Sequence, residues 1–510
     1  AIKLHALQLW LPNGHFKSDS GSDTYPLKGV EMDLVAQTAE LKFGTVLPTG
    51  SGQLTLSFHG ILNDQLAGFY RSYYEGPDGV RRALAVTQME PTDARRAFPC
   101  WDEPALKATF ELEVTTPVDL VCVSNTACVS TEVRAAAGPG GSGGGGRREK
   151  VWRFAATPVM STYLVAVVVG EFDHVAKFTR TGVQVTVYTP PGKSAQGTFA
   201  LDVACQALEL YEELYGVPYP LTKSDLLAIP DFAAGAMENW GCVTYREARL
   251  LVEPGASSLD ARKRIARTVC HELAHQWFGN LVTMEWWTHL WLNEGFARYM
   301  EFVAVASIFP GWDFWTDFDH EVFGTALRVD ALRSSHPVEV EVHHPDEINA
   351  VFDIISYAKG ASVIRMILEY IGKDNFMKGI KLYLEKYAYG NTITKNLWNA
   401  LEEASEMEIE HLAESWTSQT GYPLVKVEAT GMNEEIEISV SQERFYEMGP
   451  MAEEAGDATA EKWQIPVRVA AQDDGPPRLF VLGEGPEGAA EAALGAHLTA
   501  LARAGRWYKL

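Results

Sequence analysis

Between Thr268 and Asn280 the chain reads TVCHELAHQWFGN, and no other stretch constrains the fold so tightly. His271 and His275 stand four residues apart, and Glu272 directly follows the first. Upstream, Ser257 or Ser258 can cap a helix, and Asp260 suits its first turn. No Gly or Pro interrupts until Gly279. One continuous helix is therefore expected to carry both histidines on one face, about a turn apart. Two imidazoles so placed can share a metal ion. Glu272, one residue round, is poorly placed as a third ligand but well placed beside a water on that metal. With 13 His and 67 acidic residues in 510, chance alone supplies this pattern in about 4 of 100 such chains. By itself the motif suggests a metal; it does not establish one.

A catalytic zinc usually takes three protein ligands. Glu294, in WLNEGFARYMEF, opens the next helical pattern, and eighteen residues separate it from His275. That length allows one helix to end, the chain to turn through EWWTHLW, and Glu294 to meet the same metal. The plainer reading of Glu294 is a first-turn acid stabilised by the helix dipole. Together with His271 and His275 it becomes the expected third ligand. Cys270 adjoins His271 but points about 100° away on a helix, so it is expected to be a buried thiol and not a ligand.

At 510 residues the chain should form several domains. Hydrophobic residues make up 46%, enough for more than one core. A net charge of −24 argues against nucleic acid and anionic membrane as partners. The six cysteines are scattered without a CxxC pair and read as reduced, buried thiols. No run approaches the ~20 apolar residues of a membrane span; YLVAVVVG, Tyr163 to Gly170, is of strand length. No signal peptide and no Asn-x-Ser/Thr sequon occur, which points to a cytoplasmic protein.

Residues 1–172 read as a β-rich domain, with alternation in LTLSFHG, TFELEVTT and KVWRFAAT. Ala135 to Lys150, rich in glycine, should be a disordered loop between two strands. Residues 173–420 read as mainly helical from about 195 onwards. Residues 421–510 return to alternation, in LVKVEA and EIEISVSQ, and should form a small β-domain carrying an Ala/Gly-rich insertion near Glu484 to Gly505.

Taken together, His271-Glu272-x-x-His275 with Glu294 after eighteen residues, GAMENW (Gly235 to Trp240), TQMEPTDARRAFPCWDEPALKATF, VTMEWWTHLWLNEGFA and ISYAKGASVIRM resemble the gluzincin zinc aminopeptidases. The resemblance runs from Gly68 to about Pro423. It implies an α+β multidomain protein: an N-terminal β-saddle or sandwich, a thermolysin-like, mainly α catalytic domain, and a small β-sandwich. The large helical domain that follows in that family is expected to be absent here, as are the opening strands of the N-terminal domain.

The resemblance further implies one zinc per chain on His271, His275 and Glu294. Glu272 would be the general base. Tyr357 would stabilise the oxyanion, although a Tyr at a helix start is more commonly a core residue. Glu238 would pair with the free amine of a peptide, and Gly235, Ala236 and Met237 would line its path; alone, this stretch would read as a plain loop. Gln88 and Glu90 would line the first subsite, unless Glu90 instead forms a salt bridge with Arg95 or Arg96. His336, His343 and His344 read as loop residues. The expected partner is a peptide with a free N-terminus. Three other readings compete: an aminopeptidase that also opens epoxides, which typically has Gly where Ala236 stands; a binding module, which the retention of all four metal-site residues opposes; and an endopeptidase, which GAMEN opposes.

Overall fold

The computed structural model describes residues 1–136, 148–431, 437–449, 462–471, 477–483, 488–503 and 508–509. Within it the chain divides into two compact units. The first comprises Ala1–Trp286, Val303–Pro310 and Tyr387–Asn391; the second comprises Trp287–Phe302, Gly311–Lys386 and Thr392–Leu510.

The first unit opens with β-structure, as the alternation predicts. A five-stranded sheet runs in the order Ile2–His5, Thr38–Phe43, Thr24–Asp33, Leu9–Ser18, Gly52–Gly60. Its inward positions, Leu4, Leu9, Leu11, Ala39 and Leu41, form a buried cluster. A four-stranded sheet (Gly68–Glu75, Arg81–Gln88, Val167–Gly170, Val121–Ser124) and a three-stranded one follow. In YLVAVVVG only Val167–Gly170 is strand; Thr162–Leu164 is a 3-10 turn. The three-stranded sheet contains the hairpin Cys128–Ala135 with Arg148–Phe154, in which Ala135 pairs with Arg148 and Val133 with Lys150. The ends of the expected glycine-rich loop are therefore strand; its centre, 137–147, lies outside the described residues.

The segment DARRAFPCWDEP is organised by a buried ion pair. Arg95 Nε lies 2.9 Å from Asp102 Oδ2, and Thr162 donates to the other oxygen of Asp102 at 2.7 Å. The main-chain N–H of Asp102 donates to His5 Nδ1. Arg96 pairs with Asp93. The two arginines that Glu90 could have recruited are thus engaged by Asp102 and Asp93.

After about 195 the chain is mainly helical, as expected, but it also contains strands that the pattern did not show. A mixed five-stranded sheet threads this region in the order Asp173–Phe178, Gln184–Thr189, Lys223–Ile229, Cys242–Arg246, Ala236–Met237. Helix α1, Thr198–Tyr215, links two of its parallel strands. Every residue of Lys223–Ile229 is buried, so the strand shows no alternation and is easily missed by periodicity. Helix α2, Leu259–Ala274, packs with α1: Tyr211 donates to the carbonyl of Cys270 at 2.9 Å.

Helix α3, Trp291–Ile308, begins within the second unit and ends within the first. In the second unit, a Cβ on Gly295 of α3 would lie 3.2 Å from the Gly360 carbonyl carbon, so a side chain there would require the facing backbone to give way slightly. Further helices follow, including Gly360–Ile371, Lys373–Tyr387 and Thr394–Ser405. Near the end of the chain, Pro423–Thr430 pairs with Glu437–Arg444 and Ile465–Ala471 with Arg478–Leu482. The Ala/Gly-rich insertion expected near Glu484 to Gly505 contains a helix, Ala489–Arg503. Leu494, Leu498 and Leu501 form an apolar stripe on it and pack with Ile438, Val440, Val469 and Leu482.

None of the six cysteines is paired. Cys122, Cys205, Cys242 and Cys270 are buried as expected, but Cys128 is exposed and Cys100 half-buried. No described helix is long and apolar enough to cross a membrane.

Candidate active site

Ser258 caps α2: its Oγ accepts from the N–H of Ala261 at 3.2 Å. The helix then runs uninterrupted to Ala274, and His275 closes it in helical conformation, its N–H bonded to the carbonyl of His271. Both imidazoles therefore leave the same face. Their Nε2 atoms converge to 3.1 Å. The Nδ1 of His275 lies 2.9 Å from the carbonyl of Phe278, which can only accept. That contact places the proton on Nδ1 and leaves Nε2 as a lone pair, the state a metal requires. The C-terminal end of α2 is clamped by aromatic packing of Tyr211 and Tyr215 on Trp277, whose indole donates to Val217.

Glu294 occupies the first turn of α3. One ligand atom from each of His271, His275 and Glu294 lies within 4.8 Å of the other two, and all three residues are buried. Two imidazole nitrogens and one carboxylate oxygen are a donor set suited to zinc. Cys270 is not in this cluster, in keeping with its expected role as a buried thiol.

Glu272 is buried on α2, and Tyr245 is fully buried nearby. Burial, and then the charge of Glu272, raise the Tyr245 phenol far above its usual range, so Tyr245 stays neutral.

The GAMEN stretch is not a plain loop. Ala236–Met237 forms the edge strand of the mixed sheet, pairing with Tyr245 and Thr244. The carbonyl of Gly235 accepts from Arg246 N–H. The next residue, Glu238, is buried, and its carbonyl accepts from Gln276 Nε2 at 3.1 Å and from Asn280 Nδ2 at 2.9 Å. Gln276 also donates to the carbonyl of Glu272 at 2.9 Å. Gln276 thus ties the backbone of the expected base to that of the expected amine-binding acid. Sequence reasoning overlooked Gln276 and Asn280. The available signal was two amides embedded, fully buried, in an otherwise apolar run.

Gln88, at the end of its strand, donates to Met237 Sδ at 3.3 Å and to the carbonyl of Glu90 at 3.4 Å. Gln88, Glu90 and Met237 are therefore brought together, although about 150 residues separate them along the chain.

Tyr357 lies in the second unit, in a π-helical turn, Ile355–Lys359, that leads into the helix Gly360–Ile371. The guanidinium of Arg298 sits 5.6 Å from the centre of its ring. His336, His343 and His344 lie outside helices and strands, as read from the sequence, but two of them make structural contacts. His344 caps the helix Pro345–Val351, accepting from Asp346 N–H. His336 pairs with Asp353 at 2.8 Å, and that carboxylate raises its pKa above the usual imidazole value.

Residues 199–416 match the peptidase family M1 domain, and residues 1–164 match the peptidase M1 N-terminal domain. Aminopeptidase M1-A of Oryza sativa subsp. japonica is 50% identical over 427 residues, which are 84% of this chain and 46% of the relative. Aminopeptidase M1 of Arabidopsis thaliana is 49% identical over 428 residues, again 84% and 46% of the two chains. The puromycin-sensitive aminopeptidase of Caenorhabditis elegans is 42% identical over 469 residues, 92% of this chain and 48% of that protein. The chain spans about half the length of these relatives. Its β-rich N-terminal part and its helical part with the His-His-Glu cluster are those of a multidomain α+β protein, and the chain belongs to peptidase family M1.

Proposed function

We propose that the chain is a zinc-dependent aminopeptidase that releases N-terminal residues from peptides. The observation that carries this is the buried convergence of His271, His275 and Glu294, with Glu272 on the same helix. Zinc, when bound, would polarise the scissile carbonyl and acidify a water.

The rest falls to the protein. Glu272 takes a proton from the attacking water and hands it to the leaving amine. The Tyr357 hydroxyl, protonated at neutral pH and mounted on a rigid ring, donates to the developing oxyanion. Glu238 pairs with the α-ammonium, and Glu90 supplies a second carboxylate. Gln88 lines the same subsite beside Met237, to which it is bonded. The small residues Gly235 and Ala236 let substrate backbone approach the edge strand and extend the sheet. An internal peptide bond would bring no cation and leave those carboxylates uncompensated, which favours cleavage at a free N-terminus.

The proposal extends to the organisation of the chain: a β-saddle domain at 1–172, a thermolysin-like catalytic domain at 173–420 and a small β-sandwich at 421–510. A cytoplasmic setting with reduced thiols also belongs to this reading.

The test is to quantify zinc in the purified protein and assay the same sample on an alanyl reporter and its N-acetylated twin. One zinc per chain and cleavage of the free-amine reporter alone are expected. Absence of zinc, or equal cleavage of both reporters, would overturn the assignment.

A further inference from the structure

The turn that carries Tyr357 is held by charges at both ends, all of them within the second unit. At its start, Asp353 Oδ1 accepts from the N–H groups of Ile355 and Ser356, at 3.0 and 3.1 Å. The carbonyl of Asp353 accepts from Tyr357 N–H at 3.1 Å. The other carboxylate oxygen, Oδ2, lies 2.8 Å from Nε2 of His336. At the far end of the turn, Lys359 pairs with buried Asp330 at 2.8 Å and donates to the carbonyls of Gln419 and Gly421. Asp330 also accepts from the hydroxyl of Ser335, the neighbour of His336.

The geometry around His336 restricts its protonation state. Nε2 faces the Asp353 carboxylate, and Nδ1 faces the carbonyl of Pro337 at 2.7 Å. Both partners can only accept. A neutral imidazole carries one N–H and satisfies one of them; an imidazolium satisfies both. The charges acting on the ring are Asp353 and, more weakly, Asp330, which Lys359 already neutralises. A π-helical turn is a rare backbone form that recurs at functional sites, and here it needs Asp353 held in one orientation.

We propose that His336, as an imidazolium bridging Asp353 and Pro337, is a positioning residue for Tyr357, and that its deprotonation loosens the turn and lowers turnover. This rests on the reading of Tyr357 as the oxyanion donor. The sign follows from the raised pKa. The bridge is complete below the usual imidazole value and is lost as pH rises through the higher folded-state value. A misplacement of the order of an ångström in a catalytic group costs up to about a hundredfold in rate, so a loosened turn is expected to cost around tenfold in kcat.

The test uses the zinc-loaded protein labelled with 13C at histidine and tyrosine rings. His336→Gln serves both to assign the His336 resonance and to remove the titration while keeping a hydrogen-bond donor. Three results are expected. His336 titrates above the free-histidine range; the Tyr357 ring resonance moves with the same midpoint in the wild type and not in His336→Gln; and kcat, with little change in KM, falls across that midpoint only in the wild type. A Tyr357 resonance and a kcat profile identical in both proteins would overturn the inference. Tyr357→Phe separates the two ideas. If it lowers kcat while His336→Gln changes neither profile nor resonance, the positioning role falls and the oxyanion role stands. If Tyr357→Phe leaves kcat unchanged, the oxyanion role falls and the catalytic part of this inference falls with it. The resonance coupling then still decides whether His336 holds the turn.

Discussion

Helix α2 and the Tyr357 turn hold their candidate functional side chains by opposite means. On α2, His271, Glu272 and His275 are placed by regular helix geometry, aromatic packing and neutral amides. The turn Ile355–Lys359 departs from regular helix geometry, and two ion pairs, Asp353 with His336 and Asp330 with Lys359, hold its ends. One element is rigid because it is regular and packed. The other keeps an irregular backbone because charges hold it, and through His336 it inherits a dependence on pH.

The sharpest break in this comparison comes from chemistry on α2. Glu272→Gln keeps the shape of the helix and should retain one zinc per chain while losing about 10²–10⁴-fold in turnover. Metal analysis alongside a steady-state assay checks this, and retained turnover would remove Glu272 as the base. On the other side, Lys359→Met should leave Asp330 as a buried, uncompensated charge and destabilise the protein by about 3–5 kcal/mol. Denaturant unfolding measures this, and a variant as stable as the wild type would mean that the ion pair does not hold the turn.

The smallest expected effect lies in the neutral amides that follow α2. Gln276→Leu removes one of two side-chain donors to the Glu238 carbonyl and the side-chain donor to that of Glu272. A lost buried bond is worth about 1–3 kcal/mol, so KM for a free-amine reporter should rise about tenfold with zinc retained. An equal loss with the zinc content halved would show that Gln276 supports the metal face and not the amine site.

How much of this was legible beforehand depended on the range of the interaction. The Ser258 cap, the uninterrupted α2 and the first-turn position of Glu294 follow from rules that act within one or two helical turns, and all are seen. The buried strand Lys223–Ile229 escaped because a strand covered on both faces loses its alternation. The helix Ala489–Arg503 escaped because its many alanines concealed a stripe of three leucines. The contact of the loop residue His336 with Asp353 escaped because the two lie seventeen positions apart, with no periodicity to connect them.

By itself, the sequence determined the face that carries the candidate metal ligands: a capped helix, two histidines at a helical repeat and an acid at the start of the next helix. Those are local matters, dictated by backbone geometry. Only the tertiary structure decided that Gln88 meets Met237, that Gln276 and Asn280 hold the Glu238 carbonyl, and that His336 closes on Asp353. Such contacts depend on where whole elements pack, because a buried donor must find whatever acceptor the fold brings to it.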